Sequence, residues 1–177
     1  MATTGEHHPA FEEYCECIFE LCEDHIDVIQ ARVADRLGVS RPSVSEMIKR
    51  METEGLIVIR GAKISLTPDS EVLAERVVRR HRIAERFLTD VLGLSWATAH
   101  HEAGKWEHIM NQEVESAMNR VLHNPTTCPH GNPIPGSSYR QERLSPLSDV
   151  LEGKLFTISR IPEELEFAPG VLETLEQ

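Results

Sequence analysis

The 177-residue sequence lacks the features that mark membrane and secreted proteins. No apolar run approaches the roughly 18 residues of a membrane-spanning helix, and the N-terminus has no apolar core of a secretory signal. Three of the four cysteines, Cys15, Cys17 and Cys22, crowd into eight residues, which is not the spacing of a disulfide framework. We therefore expect a cytoplasmic protein with no membrane partner.

Positive charge is also scarce, and it is unevenly distributed. The formal net charge is −11, and the first 27 residues contain eight acidic residues but no Lys or Arg. Such a balance argues against non-specific coating of nucleic acid. Residues 28–63 reverse it, with seven basic residues against four acidic ones. Phosphate contact requires local positive potential rather than a basic whole protein, so this stretch is the candidate for DNA binding.

The same stretch begins with the pattern of a helix followed by a tight turn. Val33 and Leu37 lie four residues apart and so share one face of a short helix. Gly38 is expected to end this helix, and Val39 to turn inward beneath it. Ser40 is a favourable N-cap for a second helix, whose predicted core positions are Val44, Ile48 and Met51.

Two β-rich runs, 56–60 and 63–66, follow the second helix around a Gly61-Ala62 turn. Helix, turn, helix and hairpin together form the plan of a winged helix-turn-helix, whose second helix enters the major groove of DNA. The alternative is a packed three-helix unit without DNA binding. The local basic charge favours the DNA-binding interpretation.

Four further helices are predicted, and histidine and glutamate cluster on three of them. A first helix spans 11–22, a long helix spans about 69–91 with a core stripe at Val77, Ala84, Leu88 and Val91, and others begin at Ser95 and Asn111. The residues of interest are Glu13, Glu16, His81, Glu85, His100, Glu107 and His108. Imidazole with carboxylate is a ligand set for Mn(II), Fe(II), Co(II) or Zn(II), and no cysteine is expected close enough to add a thiolate.

Each of these histidines could instead be an ordinary surface or core residue, and the cluster could be a hydrolytic metal centre. No HExxH motif supports hydrolysis.

Four blocks of the sequence stand out: RVADRLGVSRPSVSEMIKRMETEGL, RRHRIAERFLTDVLGLSW, HEAGKWEHIM and NPTTCPHGNPIPG. Together they resemble the diphtheria toxin repressor family of metal-dependent regulators. The resemblance covers most of residues 11–136. It implies a homodimer with a winged-helix domain, a helical dimerisation domain carrying two metal sites, and a palindromic DNA operator.

The resemblance also assigns residues. His81, Glu85 and His100 match the family's ancillary metal site, and Glu163 and Glu166 match positions by which a third, SH3-like domain reaches it. The primary site corresponds to Glu13, Glu16, Gly104, Glu107 and His108.

The residues expected to read bases are Ser40, Arg41, Pro42, Ser43, Ser45 and Glu46, and those expected to reach phosphates are Arg32, Lys49, Arg50 and Arg60.

Metal preference depends on two of these positions. The iron-sensing branch has methionine where this chain has Glu13, and an acidic residue there is similar to the manganese-sensing branch. Oxygen donors suit the harder Mn(II). Gly104 departs from both branches, which have Cys or Glu at this position, and it leaves the primary site one side-chain ligand short. We expect Mn(II), with Fe(II) as the alternative.

The expected architecture is mainly α-helical. The predicted boundaries are 1–72 for a winged helix-turn-helix domain, 73–140 for a dimerisation and metal-binding domain, and 141–177 for an incomplete SH3-like segment. GKLFTISRIPEELEF in this segment is expected to form a strand followed by a turn or helix start. The segment is too short for the roughly five strands of a barrel, so it is either a shortened domain or a tail that packs differently.

Overall fold

The computed structural model describes residues 9–141 and 143–177. Residues 1–8 of the predicted first domain therefore lie outside the described residues, as does Glu142. The described helices are α1 (Pro9–Glu23), α2 (Gln30–Leu37), α3 (Arg41–Thr53), α4 (Pro68–Asp90), α5 (Trp96–Trp106), α6 (Gln112–Val121), α7 (Glu163–Glu166) and α8 (Val171–Leu175). The strands are β1 (Ile57–Arg60) and β2 (Lys63–Leu66), and a 3-10 turn covers Leu147–Asp149. No helix in the described ranges has the length and apolarity needed to cross a membrane.

Helices α2 and α3 and the hairpin form the predicted winged helix-turn-helix. Gly38 ends α2 in the left-handed conformation, with φ of +64°. The Ser40 hydroxyl accepts a hydrogen bond from the Ser43 N–H at 3.3 Å and so caps α3. The core positions predicted for α3 are fully buried: Val44, Ile48 and Met51.

The prediction that Val39 turns inward is wrong. Its side chain is 39% exposed, because Val33 and Val44 already fill the core beneath the turn. The two strands pair antiparallel, with Ile57 opposite Leu66 and Arg60 opposite Lys63. Arg60 and Lys63 are exposed at the tip of this wing.

Helix α4 runs from one core into another. Its first half packs Leu73 and Val77 against α1–α3 and the hairpin, and its second half packs Ala84 and Leu88 against α5. Val91 does not extend this stripe, contrary to prediction. The helix ends at Asp90, and Val91 is 47% exposed.

The C-terminal segment has no strand among its described residues, so the predicted strand within 153–160 is wrong. A strand requires a neighbouring strand for its hydrogen bonds, and the segment instead packs on the loop that follows α6. The Ile161 N–H donates to the His130 carbonyl at 2.9 Å. A side chain at Gly131 would collide with the Ser159 carbonyl, so this close approach requires glycine. The described residues of the segment thus pack on this loop and form no sheet.

Candidate metal centre and DNA interface

A cavity of about 290 Å³ opens between α1, α2, α4 and α5, with Phe167 of the tail at its wall. It is lined by all five residues predicted for the primary metal site, Glu13, Glu16, Gly104, Glu107 and His108, and by two from the predicted ancillary site, His81 and His100. We call the first five residues the first cluster. Gly104 faces open space, because a Cβ built there would meet no atom within 4 Å.

Glu107 is the central carboxylate of the first cluster. One of its oxygens is hydrogen-bonded to His81 Nδ1, and the other lies 3.1 Å from His108 Nε2. Glu16 Oε1 is 3.9 Å from His81 Nδ1. Glu13 is exposed at the cavity wall. A carboxylate pair and two imidazoles thus face the same space, which is a ligand set suited to a divalent cation.

The buried carboxyl groups of this cluster have opposite pKa shifts. Burial raises the pKa of Glu107, but His81 and His108 more than offset this effect and lower it to about 2. Burial raises the pKa of Glu16 well above its usual value, and the negative charges of Glu107 and Glu20 raise it further. The cavity therefore holds more carboxyl groups than nearby positive charge can stabilise, and a cation would relieve this imbalance.

Glu12 is a neighbour of the first cluster that the sequence did not single out. Its carboxylate lies 3.0 Å from His108 Nδ1, so it orients the His108 ring. The only signal in the sequence was that Glu12 is next to Glu13. Helical spacing alone did not show which of these two glutamates contacts His108.

A second cluster forms where α5, α4, the loop after α6 and the tail meet. His100 Nδ1 lies 2.9 Å from Glu85 Oε1 and 3.3 Å from Glu166 Oε2. His130 Nδ1 lies 2.8 Å from the same Glu166 oxygen. We define the second cluster as Glu85, His100, Cys128, His130 and Glu166.

Cys128 and His130 were missed as candidate ligands, and the expectation that no cysteine would be near the site is wrong. The ligand atoms of Glu85, Cys128 and His130 all lie within 4.8 Å of one another. The loop after α6 folds back onto α4 and brings them there, a long-range contact that local periodicity does not predict. The Cys-Pro-His sequence inside a Pro/Gly-rich segment was the available signal.

The donor atoms of the second cluster fit a bound metal. His130 Nδ1, His130 Nε2 and Glu166 Oε2 are buried and have no aligned hydrogen-bond partner in the part of the chain that the structure describes. Buried polar atoms normally have such partners. Burial lowers the pKa of His100, but hydrogen bonds to Glu166 and Glu85 outweigh it and raise the pKa to about 9. Without a metal, protonated histidine therefore balances the buried carboxylates.

His81 and Glu163 have roles beyond those predicted for an ancillary ligand. His81 stands between the clusters, because its Nδ1 contacts Glu107 and its Nε2 lies 3.3 Å from Glu85 Oε1. Glu163 Oε1 accepts from the fully buried Arg82 at 2.7 Å. Glu163 is therefore first an ion-pair partner, whereas Glu166 points directly at the histidines.

The predicted DNA-reading residues form one surface at the start of α3. Ser40, Arg41, Pro42, Ser43 and Glu46 are exposed, and Ser45 is half-buried. Arg32, Lys49, Arg50 and Arg60 are exposed as well. Two of these have other contacts, since Arg32 donates to the Asp27 carbonyl at 2.7 Å and the Arg50 guanidinium lies 5.4 Å from the centre of the Phe11 ring.

Comparison with known proteins matches both halves of this arrangement. Residues 8–63 match the family profile described as "Iron dependent repressor, N-terminal DNA binding domain". Residues 67–136 match "Iron dependent repressor, metal binding and dimerisation domain". The chain belongs to the iron-dependent repressor family. The predicted resemblance is thereby confirmed.

Individual relatives extend the comparison. The iron-dependent repressor IdeR of Mycobacterium tuberculosis H37Rv is 47% identical over 126 residues, covering 71% of this chain and 55% of that protein. The chain thus spans about half the length of this relative. IdeR of Mycobacterium leprae is 46% identical over 166 residues, 93% of this chain and 71% of that protein. A manganese-dependent transcriptional repressor complex with manganese has a TM-score of 0.68 at 32% identity, over 73% of this chain and 60% of that one. These named relatives are repressors rather than enzymes, so the hydrolase alternative is set aside.

Proposed function

We propose that this chain is a Mn(II)-activated, homodimeric transcriptional repressor that binds a palindromic operator and controls metal-ion homeostasis in the cytoplasm. The observation that carries the proposal is the convergence of carboxylates and imidazoles from α1, α4 and α5 on one cavity. Helix α1 belongs to the same core as α2 and α3. A cation held in the cavity would link α1 to α5 and to the second half of α4.

The residues proposed to hold metal at the first cluster are Glu13, Glu16, Glu107 and His108, with His81 reaching it from α4. Glu85, His100, His130 and Glu166 are proposed for a second ion, with Cys128 as a further donor. When bound, a divalent ion would supply positive charge that replaces protons on these groups. The chain's own residues orient the donors: Glu12 contacts His108, and Asn132 donates to Glu166.

Manganese is proposed because the five residues of the first cluster offer carboxylate oxygen and imidazole. Cys17 also lines the cavity, but it belongs to none of the groups of described residues whose donor atoms lie within 4.8 Å of one another. Gly104 contributes no side chain, and octahedral Mn(II) accepts water or backbone oxygen in such positions. Fe(II) is the alternative, and the two IdeR relatives compared above, both called iron-dependent repressors, favour it. Cys128 adds a softer donor, but only at the second cluster.

The proposed dimer interface is the apolar outer surface of the second domain. Helix α6 buries none of its residues, and Ile109 is 80% exposed beside it. Val114 and Val121 on α6 are 42% and 56% exposed. A second copy would cover this apolar surface. We propose domains of 1–72 and 73–140, with 141–177 as a partial SH3-like segment.

The deciding experiment is a titration of operator binding with Mn(II), Fe(II) and Zn(II) under reducing, anaerobic conditions. We expect no operator binding with chelator present and tight binding once Mn(II) is added. The His108→Ala variant, which removes a ligand of the first cluster, should need far more metal. Metal-independent binding by the wild-type protein would contradict the proposal, and stronger activation by Fe(II) would replace manganese with iron.

A further inference from the structure

Phe167 lies between the second cluster and the DNA-binding domain. It directly follows Glu166 at the end of α7. Its ring contacts His100 edge-to-face, with centroids 5.0 Å apart and an interplanar angle of 87°. Its face is covered by the Arg36 guanidinium, whose Cζ lies 4.2 Å from the ring centroid. One aromatic side chain thus contacts α2 on one side and a candidate metal ligand on the other.

Arg36 connects this ring to the rest of the DNA-binding domain. It lies on α2, and its Nη2 donates to Glu20 of α1 at 2.8 Å. Its side chain is only 6% exposed, and its Nε and Nη1 have no hydrogen-bond acceptor among the residues that the structure describes. A desolvated guanidinium over an aromatic face gains more from the ring than an exposed one does. Phe167 is therefore a principal contact of a buried cation.

The second cluster has no member of its own in α1, α2 or α3. Its donors come from α4, α5, the loop after α6 and the tail. An effect of this cluster on DNA binding must therefore pass through residues that touch both parts. Phe167–Arg36 is one such contact, and a parallel one runs from Glu163 through Arg82 to Glu23 on α1.

We propose that Phe167 is a positioning residue that couples occupancy of the second cluster to the orientation of α2, by holding Arg36 against the tail. The inference rests on the proposed function and goes beyond it, because it assigns a role to a residue that is neither a metal ligand nor a DNA contact. Fixing Glu166 fixes the adjacent Phe167, and the ring in turn restrains Arg36 and the helix that precedes the DNA-reading helix.

The ring can be changed without loss of the fold, because Phe167 is 53% exposed and belongs to neither apolar core. Phe167→Leu removes the aromatic face, and Phe167→Trp keeps it. Phe156→Leu is the matched control, since Phe156 is 50% exposed in the same tail. Arg36→Met removes the cation from the other side of the contact.

The test is hydrogen exchange of residues 30–37 and 163–167 with and without Mn(II). Because Phe167 and Arg36 also line the cavity of the first cluster, it is done in a His108→Ala background at a Mn(II) concentration too low to fill the weakened first cluster, so that the protection reports the second cluster. We expect Mn(II) to slow exchange in both segments of the parent. With Phe167→Leu or Arg36→Met, only 163–167 should be slowed, and Phe167→Trp should restore protection of 30–37. With His108 intact, Phe167→Leu should weaken operator binding at saturating Mn(II) by roughly three- to tenfold, as expected for loss of a cation–π contact.

Two outcomes would overturn the inference alone: protection of 30–37 in Phe167→Leu equal to the parent, or an equal loss in Phe156→Leu. Calorimetry of Mn(II) binding and operator titration of the wild-type chain are run alongside. A wild-type chain that binds neither would overturn the proposed function, and this inference with it. The two failures are thereby distinguished.

Discussion

Gly104 leaves the first cluster one side-chain ligand short. It lies within α5, lines the cavity, and has open space where a Cβ would stand. We expect Gly104→Glu to tighten Mn(II) binding, and Gly104→Cys to shift preference toward Fe(II), Co(II) or Zn(II), because the added donor sets the preference. Calorimetric titration with each metal measures both effects.

Gly104→Ala is the control for this pair. Replacing glycine inside a helix stabilises the fold by up to roughly 1 kcal/mol without adding a ligand, so Gly104→Ala should raise thermal stability and leave metal affinity unchanged. If Gly104→Glu and Gly104→Cys behave like Gly104→Ala toward every metal, Gly104 does not line the metal site.

Cys128 gives the second cluster a donor that the first cluster lacks. Burial raises the pKa of its thiol well above the usual value, so the sulfur is protonated until a metal displaces the proton. We expect Co(II) to produce a thiolate charge-transfer absorption that disappears in Cys128→Ser. Cys22→Ser, which changes an exposed cysteine, is the control and should keep the band. A band that persists in Cys128→Ser, or that is lost instead in Cys22→Ser, would exclude Cys128 as a ligand.

Proton release should accompany metal binding. The raised pKa of His100, about 9, means that this imidazole is protonated at neutral pH in the metal-free protein. A ligand imidazole must be neutral, so the proton competes with the metal. Between about pH 7 and 9 the apparent affinity should therefore rise with pH, by up to about tenfold per unit for this proton. Calorimetry in buffers of different ionisation enthalpy would detect the release, and identical heats in all buffers would contradict it.

At the scale of elements, helix α3 carries the proposed DNA contacts. Arg41→Glu and Ser43→Glu each put negative charge on the exposed start of this helix, where it would face phosphates and acceptor-rich base edges. We expect either change to abolish operator binding and to leave Mn(II) affinity intact. Lys154→Glu makes the same charge reversal as Arg41→Glu on the exposed tail and should have little effect. Wild-type operator affinity in Arg41→Glu would refute the assignment of α3.

The elements that the sequence predicted well are those with local causes. Ser40 and Gly38 mark the ends of α3 and α2, and the spacing of Val44, Ile48 and Met51 gives the buried face directly. His81 and Glu85 also follow from helical spacing. The second cluster could not be completed in this way, because Cys128 and His130 arrive through the fold of an irregular loop. The predicted tail strand failed because β-propensity needs a partner strand, and the tail has none among its described residues.

At the scale of the whole molecule, the exposed apolar surface of the second domain predicts the symmetry of the operator. Ile109 and Val114 are exposed on the second domain, and neither belongs to a described metal cluster or to α3. If this face joins two copies, the two α3 helices read half-sites related by a dyad, and the operator is an inverted repeat with spacing in helical turns. Footprinting should then reveal two symmetric protected half-sites.

Disrupting this surface should separate dimerisation from metal binding. A charged residue cannot be buried unpaired in an apolar interface without a large cost, so Val114→Asp should yield a monomer in sedimentation analysis. The monomer should bind Mn(II) as before, because Val114 lies in neither cluster, yet lose most of its operator affinity since only one half-site is held at a time. Leu155→Asp is the control, because Leu155 is 102% exposed on the tail and its change should leave the dimer intact. A dimer that survives Val114→Asp with full operator affinity would move the interface away from α6.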